Sequence, residues 1–330
     1  MRILQVGAGG FGATWLAALA SEPEAELVAL VDHDPAALPP GVPGFVDLDG
    51  ALAATRADLA LVVVPPSAHR GVAERCLAAG LPVLVEKPLA GTREDCVALI
   101  EASERAGRQL AVSQNYRYRP AIETARRTLP ELGPIGQAQV DFRIHHDFRG
   151  TFREHMEQPL ILDMAVHSFD LIRFITGLEA VEVQAHTWNP PWSQFEGDAS
   201  ALALFTMDTG ARVAYSGSWH PRGQFTDWNC RWLIECERGY LTLDRDVVRV
   251  YRGDDVHRPG TAAEEEVVPL VAMERTDQAA VLADFAGALR DDRPAPTHAA
   301  DNLHTVEMVL AAVEAAQGYD VWPAPPRSAR

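Results

Sequence analysis

Basic side chains are scarce in this 330-residue chain: 29 Lys and Arg stand against 46 Asp and Glu, for a net charge of −17 at pH 7. So acidic a field argues against nucleic acid or an anionic membrane as partner. Long apolar runs are also missing. None reaches the ~18 residues that a membrane-spanning helix needs. Cysteine is rare, and Cys76, Cys96, Cys230 and Cys236 form no C-x-x-C pair. A zinc or redox motif is therefore not expected. No export signal precedes the apolar run that begins at Ile3, so the expected location is cytoplasmic, with reduced thiols. His145-His146-Asp147 and Glu154-His155 match no metal-ligand spacing, and no metal is expected. Apolar residues, in contrast, make up 47% of the chain. At this length that is enough for two buried cores.

The first of these cores starts with a short apolar strand, residues 3–6. It runs into Gly7-Ala8-Gly9-Gly10-Phe11-Gly12 and then an apolar helix over 13–20. This is G-x-G-x-x-G in its strand–turn–helix context. The first glycine makes the turn, the second admits a pyrophosphate to the backbone, and the third lets helix and strand pack closely. The helix N-terminus then offers free N–H groups to the phosphates. A second strand, 27–31, ends at Asp32, twenty residues after Gly12, where a carboxylate can bind the adenosine ribose hydroxyls. That acid, with no Arg or Lys beside it, favours NAD over NADP. A partly protonated His33 leaves NADP open.

Strand and helix alternate through residue 113, which implies a doubly wound parallel sheet. Thr92, with Asp95 three residues on, is placed to cap the helix ending near Arg105. From Pro120 the pattern changes. Helices are expected over 121–129 and 160–176, and strands over 137–146, 181–187, 199–207, 212–219, 231–236, 240–243 and 247–251. Two closing helices follow, 276–290 and 300–317. The expected boundary divides a dinucleotide-binding domain, 1–119, from a second domain, 120–330. The second domain reads as α+β, with a large open, mostly antiparallel sheet.

Two places carry further chemistry. Leu81 to Val85 reads as a strand buried on both faces, and it leads into Glu86-Lys87-Pro88. Ligands of open α/β sheets bind outside such strand ends. In the helix over 160–176, Asp163 and His167 are four residues apart and share a face, with Asp170 on the same stripe. Taken alone, this is equally an i,i+4 pair closing a hydrogen bond in a core.

Taken together, Gly7 to Gly12, Pro65-Pro66-Ser67-Ala68-His69, Glu86-Lys87-Pro88, Asn115-Tyr116-Arg117-Tyr118-Arg119-Pro120 and Asp163-x-x-x-His167 with Asp170 resemble the glucose–fructose oxidoreductase/inositol dehydrogenase (Gfo/Idh/MocA) family. The resemblance spans essentially the whole chain. It implies a Rossmann domain followed by an open-sheet domain, and transfer of a hydride between NAD(H) and a secondary alcohol or ketone of a polyol or sugar. His167 would act as acid/base, Lys87 would steady the reacting oxygen, and Asp163 would orient the substrate. Gly7, Gly9, Gly10, Phe11, Gly12, Asp32, His33, Pro65, Ser67, His69, Glu86, Lys87 and Asn115 would line the cofactor. Arg117, Tyr118 and His155 would join Lys87, Asp163 and His167 around the substrate. The resemblance further implies a homo-oligomer, dimer or tetramer. Trp188 and Trp192 fit packing or an interface better than sugar stacking. Many members carry a glycine run before the Asp, whereas this chain has Glu157-Gln158-Pro159-Leu160. Two other functions share such a fold: an NAD-assisted glycosidase or lyase, and a non-catalytic sugar or nucleotide sensor.

Overall fold

In the computed structural model, residues 1–253 and 265–318 are described. The first sheet contains β1 (Arg2–Val6), β2 (Glu26–Val31), β3 (Gly44–Phe45), β4 (Leu59–Val62), β5 (Val83–Glu86) and β6 (Leu110–Ser113). All are parallel, in the order β3-β2-β1-β4-β5-β6. The order reverses between β1 and β4, and a crevice opens at their carboxyl ends. Every residue of β4 and β5 is buried, as continuous apolar strands in a two-sided sheet must be.

Helices α1 (Phe11–Ala20), α2 (Leu48–Ala54), α3 (Pro66–Ala78) and α4 (Arg93–Ala106) connect these strands. Thr92 caps α4 by accepting the N–H of Asp95. Two later helices return to this sheet. Beyond α5 (Pro120–Thr128) and α6 (Val166–Thr176) come α7 (Asp277–Arg290) and α8 (Ala299–Gln317). Val281, Leu282 and Phe285 of α7 pack with Trp15 of α1 over Ile3 and Leu61. Ala299 and Val306 of α8 join the core on the opposite face, while its Met308, Val309 and Ala312 join the second core. Helix α8 thus belongs to both domains.

The second sheet has eight strands: β7 (Ile135–Arg143), β8 (Ala180–Trp188), β9 (Ser200–Met207), β10 (Arg212–Ser218), β11 (Arg231–Cys236), β12 (Gly239–Asp244), β13 (Val247–Arg252) and β14 (Glu266–Val267). Their order is β14-β13-β12-β11-β7-β10-β9-β8. Only β7 and β10 pair in parallel. Side chains alternate in strand period. Ala201, Ala203 and Phe205 of β9 face the core under α6, and Leu202 and Leu204 face outward.

The segment expected as one helix over 160–176 has two parts. Leu160–Ala165 winds as a π-helix and hands over to α6 at Val166. Such wide turns concentrate at functional sites. Gly177, at φ +68°, ends α6 in the left-handed conformation. All four cysteines are free thiols. No helix among the described residues is long and apolar enough to cross a membrane.

Candidate active site

The glycine loop lies at the switch point, between β1 and α1. Gly7 has φ +100°, and a Cβ there would stand 2.0 Å from the Val63 carbonyl oxygen. A Cβ on Gly12 would stand 2.5 Å from the Gly7 oxygen. Both positions therefore need glycine for packing. Gly9 and Gly10 differ, because a Cβ on either would meet no atom within 4 Å. It would project into open space. No side chain caps the N-terminus of α1, and its first turn holds no acid. The N–H groups of Gly12 and Ala13 donate to the Gly9 and Gly10 carbonyl oxygens, so only the earliest N–H groups of the helix are left for an anion. Phe11, His33, Pro65 and Ser67, also expected at the cofactor, are exposed.

Asp32 secures this loop. Its Oδ2 accepts from Ala8 N at 2.8 Å and Gly9 N at 3.4 Å, and its Oδ1 accepts from Asp34 N at 3.0 Å. Burial opposes the charge, but these three N–H donors outweigh it and hold the carboxyl below its ordinary value. The group carries negative charge where an adenosine ribose would lie. The glycine loop, the uncapped helix and Asp32 fit NAD.

Lys87 follows β5 directly and is the only lysine in the chain. Its Nζ donates to the carbonyl oxygen of Asp163 at 2.9 Å and to Oδ1 of the same residue at 3.2 Å. Behind it, Glu86 accepts from Trp15 Nε1 at 2.7 Å and from Lys87 N at 3.1 Å. Glu86 thereby ties α1 to the strand end that presents Lys87. Its burial outweighs these donors and raises its pKa. Asp163 is gripped from the other side by Arg153, with Nε to Oδ2 at 2.6 Å and Nη2 to Oδ1 at 3.2 Å. Burial again opposes the charge, and Lys87 and Arg153 overcome it, so Asp163 stays ionised.

His167 is buried, with its ring stacked on Tyr116 at 4.1 Å and nearly parallel to it. The Arg119 guanidinium covers the other side of the Tyr116 ring at 3.5 Å. Burial drives the imidazole pKa well below 6.5, Lys87 and Arg119 push it the same way, and Asp163 pulls against them. The ring is neutral at physiological pH. Nδ1 has no partner among the described residues. The expected Asp163–His167 pair is thus an electrostatic neighbour relation with no hydrogen bond recorded.

Several residues expected at the site make their contacts elsewhere. Arg117 does not face the cleft. It is buried, forks onto Asp170 at 2.7 and 2.6 Å, and reaches the Pro296 carbonyl and Asp301. The second acid of the predicted stripe therefore serves an ion pair. Tyr118 donates to Asp284 at 2.5 Å on the side of α7. His69 is fully buried, and its ring nitrogens lie 2.9 Å from the Val64 and Pro88 carbonyl oxygens. It braces the β4 loop against the Lys87-Pro88 segment and offers no surface to a cofactor. Asn115 is buried against Asp277. His155 is exposed and pairs with Glu196 at 2.9 Å. Trp192 donates to the His220 carbonyl and carries Arg222 over its ring.

The sequence reading passed over Arg153, Tyr116 and Arg119. Tyr116 and Arg119 stood inside a quoted motif. Arg153, two residues before His155, carried no signal of its own.

A parallel dinucleotide fold whose lysine meets an Asp and a neutral His from a second, open-sheet domain defines a two-domain, nicotinamide-dependent oxidoreductase. The chain belongs to the Gfo/Idh/MocA family. Residues 1–114 match the model of the oxidoreductase family's NAD-binding Rossmann fold, and residues 122–242 match the Gfo/Idh/MocA C-terminal domain. The D-apiose dehydrogenase of Paraburkholderia graminis is 29% identical over 93% of this chain and 85% of that protein. The inositol 2-dehydrogenase of an Arthrobacter species is 32% identical over 65% of this chain and 69% of its own length. An oxidoreductase from Agrobacterium radiobacter, solved with NAD+, L-tartaric acid and magnesium, shares the fold. Its TM-score is 0.85, with 21% identity over 96% of each chain.

Proposed function

We propose that the chain oxidises a secondary alcohol of a polyol or sugar derivative, or reduces the matching ketone, with Lys87, Asp163 and His167 as the working residues. The carrying observation is the meeting of Lys87, from the end of β5, with Asp163 and neutral His167 from the other domain. Neutral imidazole is the form that can take a hydroxyl proton. Lys87 spends two donors on Asp163, and its third would hold the reacting oxygen as negative charge builds. Asp163 aims Lys87. Bound NAD supplies the acceptor or donor of the hydride. The names of the curated relatives, an apiose and an inositol dehydrogenase, support a polyhydroxylated substrate. The Asp32 charge supports NAD over NADP.

A panel of sugars and polyols, followed by absorbance of the reduced cofactor, tests the reading. Lys87→Ala and His167→Ala should each keep cofactor binding and lose about 10²–10⁴-fold in kcat. Unimpaired turnover in both variants would overturn it. We also propose that copies of the chain associate through the outward sheet face carrying Leu202, Leu204 and Trp188, which are all exposed. Light scattering should then give a dimer or tetramer.

A further inference from the structure

Two cations meet on a single carboxylate at the site. Lys87 and Arg153 both bind Asp163 Oδ1 at 3.2 Å, so two cations share one carboxylate. His167 adds no charge. Arg119 is already paired, with Asp277 at 2.8 Å. None of the neighbouring acids other than Asp163 bonds Arg153 among the described residues: Glu86 takes Trp15 Nε1 and Lys87 N, Asp147 pairs with Arg149, Glu154 accepts the N–H of Gly150, and Glu196 faces His155.

Arg153 is also fixed in place with donors to spare. Phe148 and Phe152 flank its guanidinium at 5.3 and 4.7 Å. Nε and Nη2 are committed to Asp163, and Nη1 makes no hydrogen bond among the described residues. The side chain is 28% exposed. A planar guanidinium held this way, with a free edge, suits a carboxylate.

Resting on the oxidoreductase reading above, we infer that the preferred substrate is a polyhydroxy acid. Its carboxylate meets the free edge of Arg153, and its reacting carbinol lies at Lys87 and His167. A neutral polyol offers no anion to the free edge of Arg153. An acid pairs with it and is oriented by it in the same contact.

The test pairs aldonates and uronates with the alditols and aldoses of the same configuration, as substrates for wild type, Arg153→Lys and Arg153→Met. The wild type should favour the acid of a pair by about 10–100-fold in kcat/KM, the worth of one hydrogen bond to a charged group. Arg153→Met should slow both members alike through the loosened Asp163, cost the acid about 10–100-fold more than the neutral member, mainly through KM, and keep the cofactor Kd. Arg153→Lys should restore part of the preference. Wild-type preference for the neutral member overturns the inference without any variant and leaves the oxidoreductase reading standing. Equal losses on both members in Arg153→Met also overturn it, because Arg153 would then only steady Asp163. Absence of turnover on every compound while NAD binds sinks the oxidoreductase reading as well.

Discussion

At the scale of single residues, Lys87 can be followed alone. Because the chain has one lysine, amine acylation modifies this side chain and the N-terminus only. NAD together with substrate should slow acylation at Lys87 and leave the N-terminal rate unchanged, as read by peptide mass. Equal rates with and without ligands would place Lys87 outside the bound complex. On the proposed reading, Asp32 sets cofactor choice by charge. Asp32→Ser should shift the NADP-to-NAD affinity ratio toward NADP by about 10–100-fold, from loss of one repulsive carboxylate. An unchanged pair of Kd values would contradict that role. Lys87 and Asp32 were legible in the sequence because each stands next to a strand that the sequence also marks. Arg153 was not, because nothing local tells an arginine in a polar loop where it will reach.

At the scale of elements, the glycine loop and α6 make separate demands. Gly7→Ala forces a Cβ into the Val63 carbonyl at a positive φ, so both fold stability and NAD binding should fall. Gly9→Ala meets only open space. Its melting temperature should stay within a degree or two while NAD affinity drops at least tenfold. If Gly9→Ala binds NAD normally, the cofactor does not approach that backbone. On α6, Asp170 and Arg117 are both buried and bonded to each other. Removing one partner leaves a buried charge unmatched, so Arg117→Ala should cost about 3–5 kcal/mol in urea unfolding. A loss below about 1 kcal/mol would show that the pair is solvated. The same pairing explains why the Asp163–His167–Asp170 stripe misled: helical spacing brought three polar residues to one side, but the π-turn and the position of Arg117 divided them between two tasks.

At the scale of the molecule, α7 and α8 bind the domains into one body, and protons act on the whole of it. The folded pKa of His167 lies below its ordinary 6.5. Its contribution to stability is therefore complete above about pH 6.5 and declines as pH falls toward the folded value, because the unfolded chain takes up the proton first. Burial opposes the charge on Asp163 and Asp301, and their cationic partners hold both below the ordinary 3.8. Their contributions persist above about pH 4 and are lost as pH falls further. Urea midpoints should decline in two stages, and His167→Gln should flatten the first stage, which begins below about pH 6.5. An unchanged slope in that variant would mean that another group titrates there.

The sequence alone determined the two-domain plan, the order of strands and helices, the glycine loop with its acid, and the segments that carry Lys87, Asp163 and His167. Each of these rests on local rules: backbone sterics at glycine, the two-residue and 3.6-residue periods, and the placing of ligands at strand ends. Only the tertiary structure decided which polar groups meet. It buried Arg117, Tyr118 and His69 in bracing contacts, turned His155 to the surface, and brought Arg153, Tyr116 and Arg119 to the site. Long-range contacts between side chains have no period in sequence. They follow from how α6, α7, α8 and the loop before the π-turn pack around Lys87, and that packing is settled by burial and charge pairing across the whole fold.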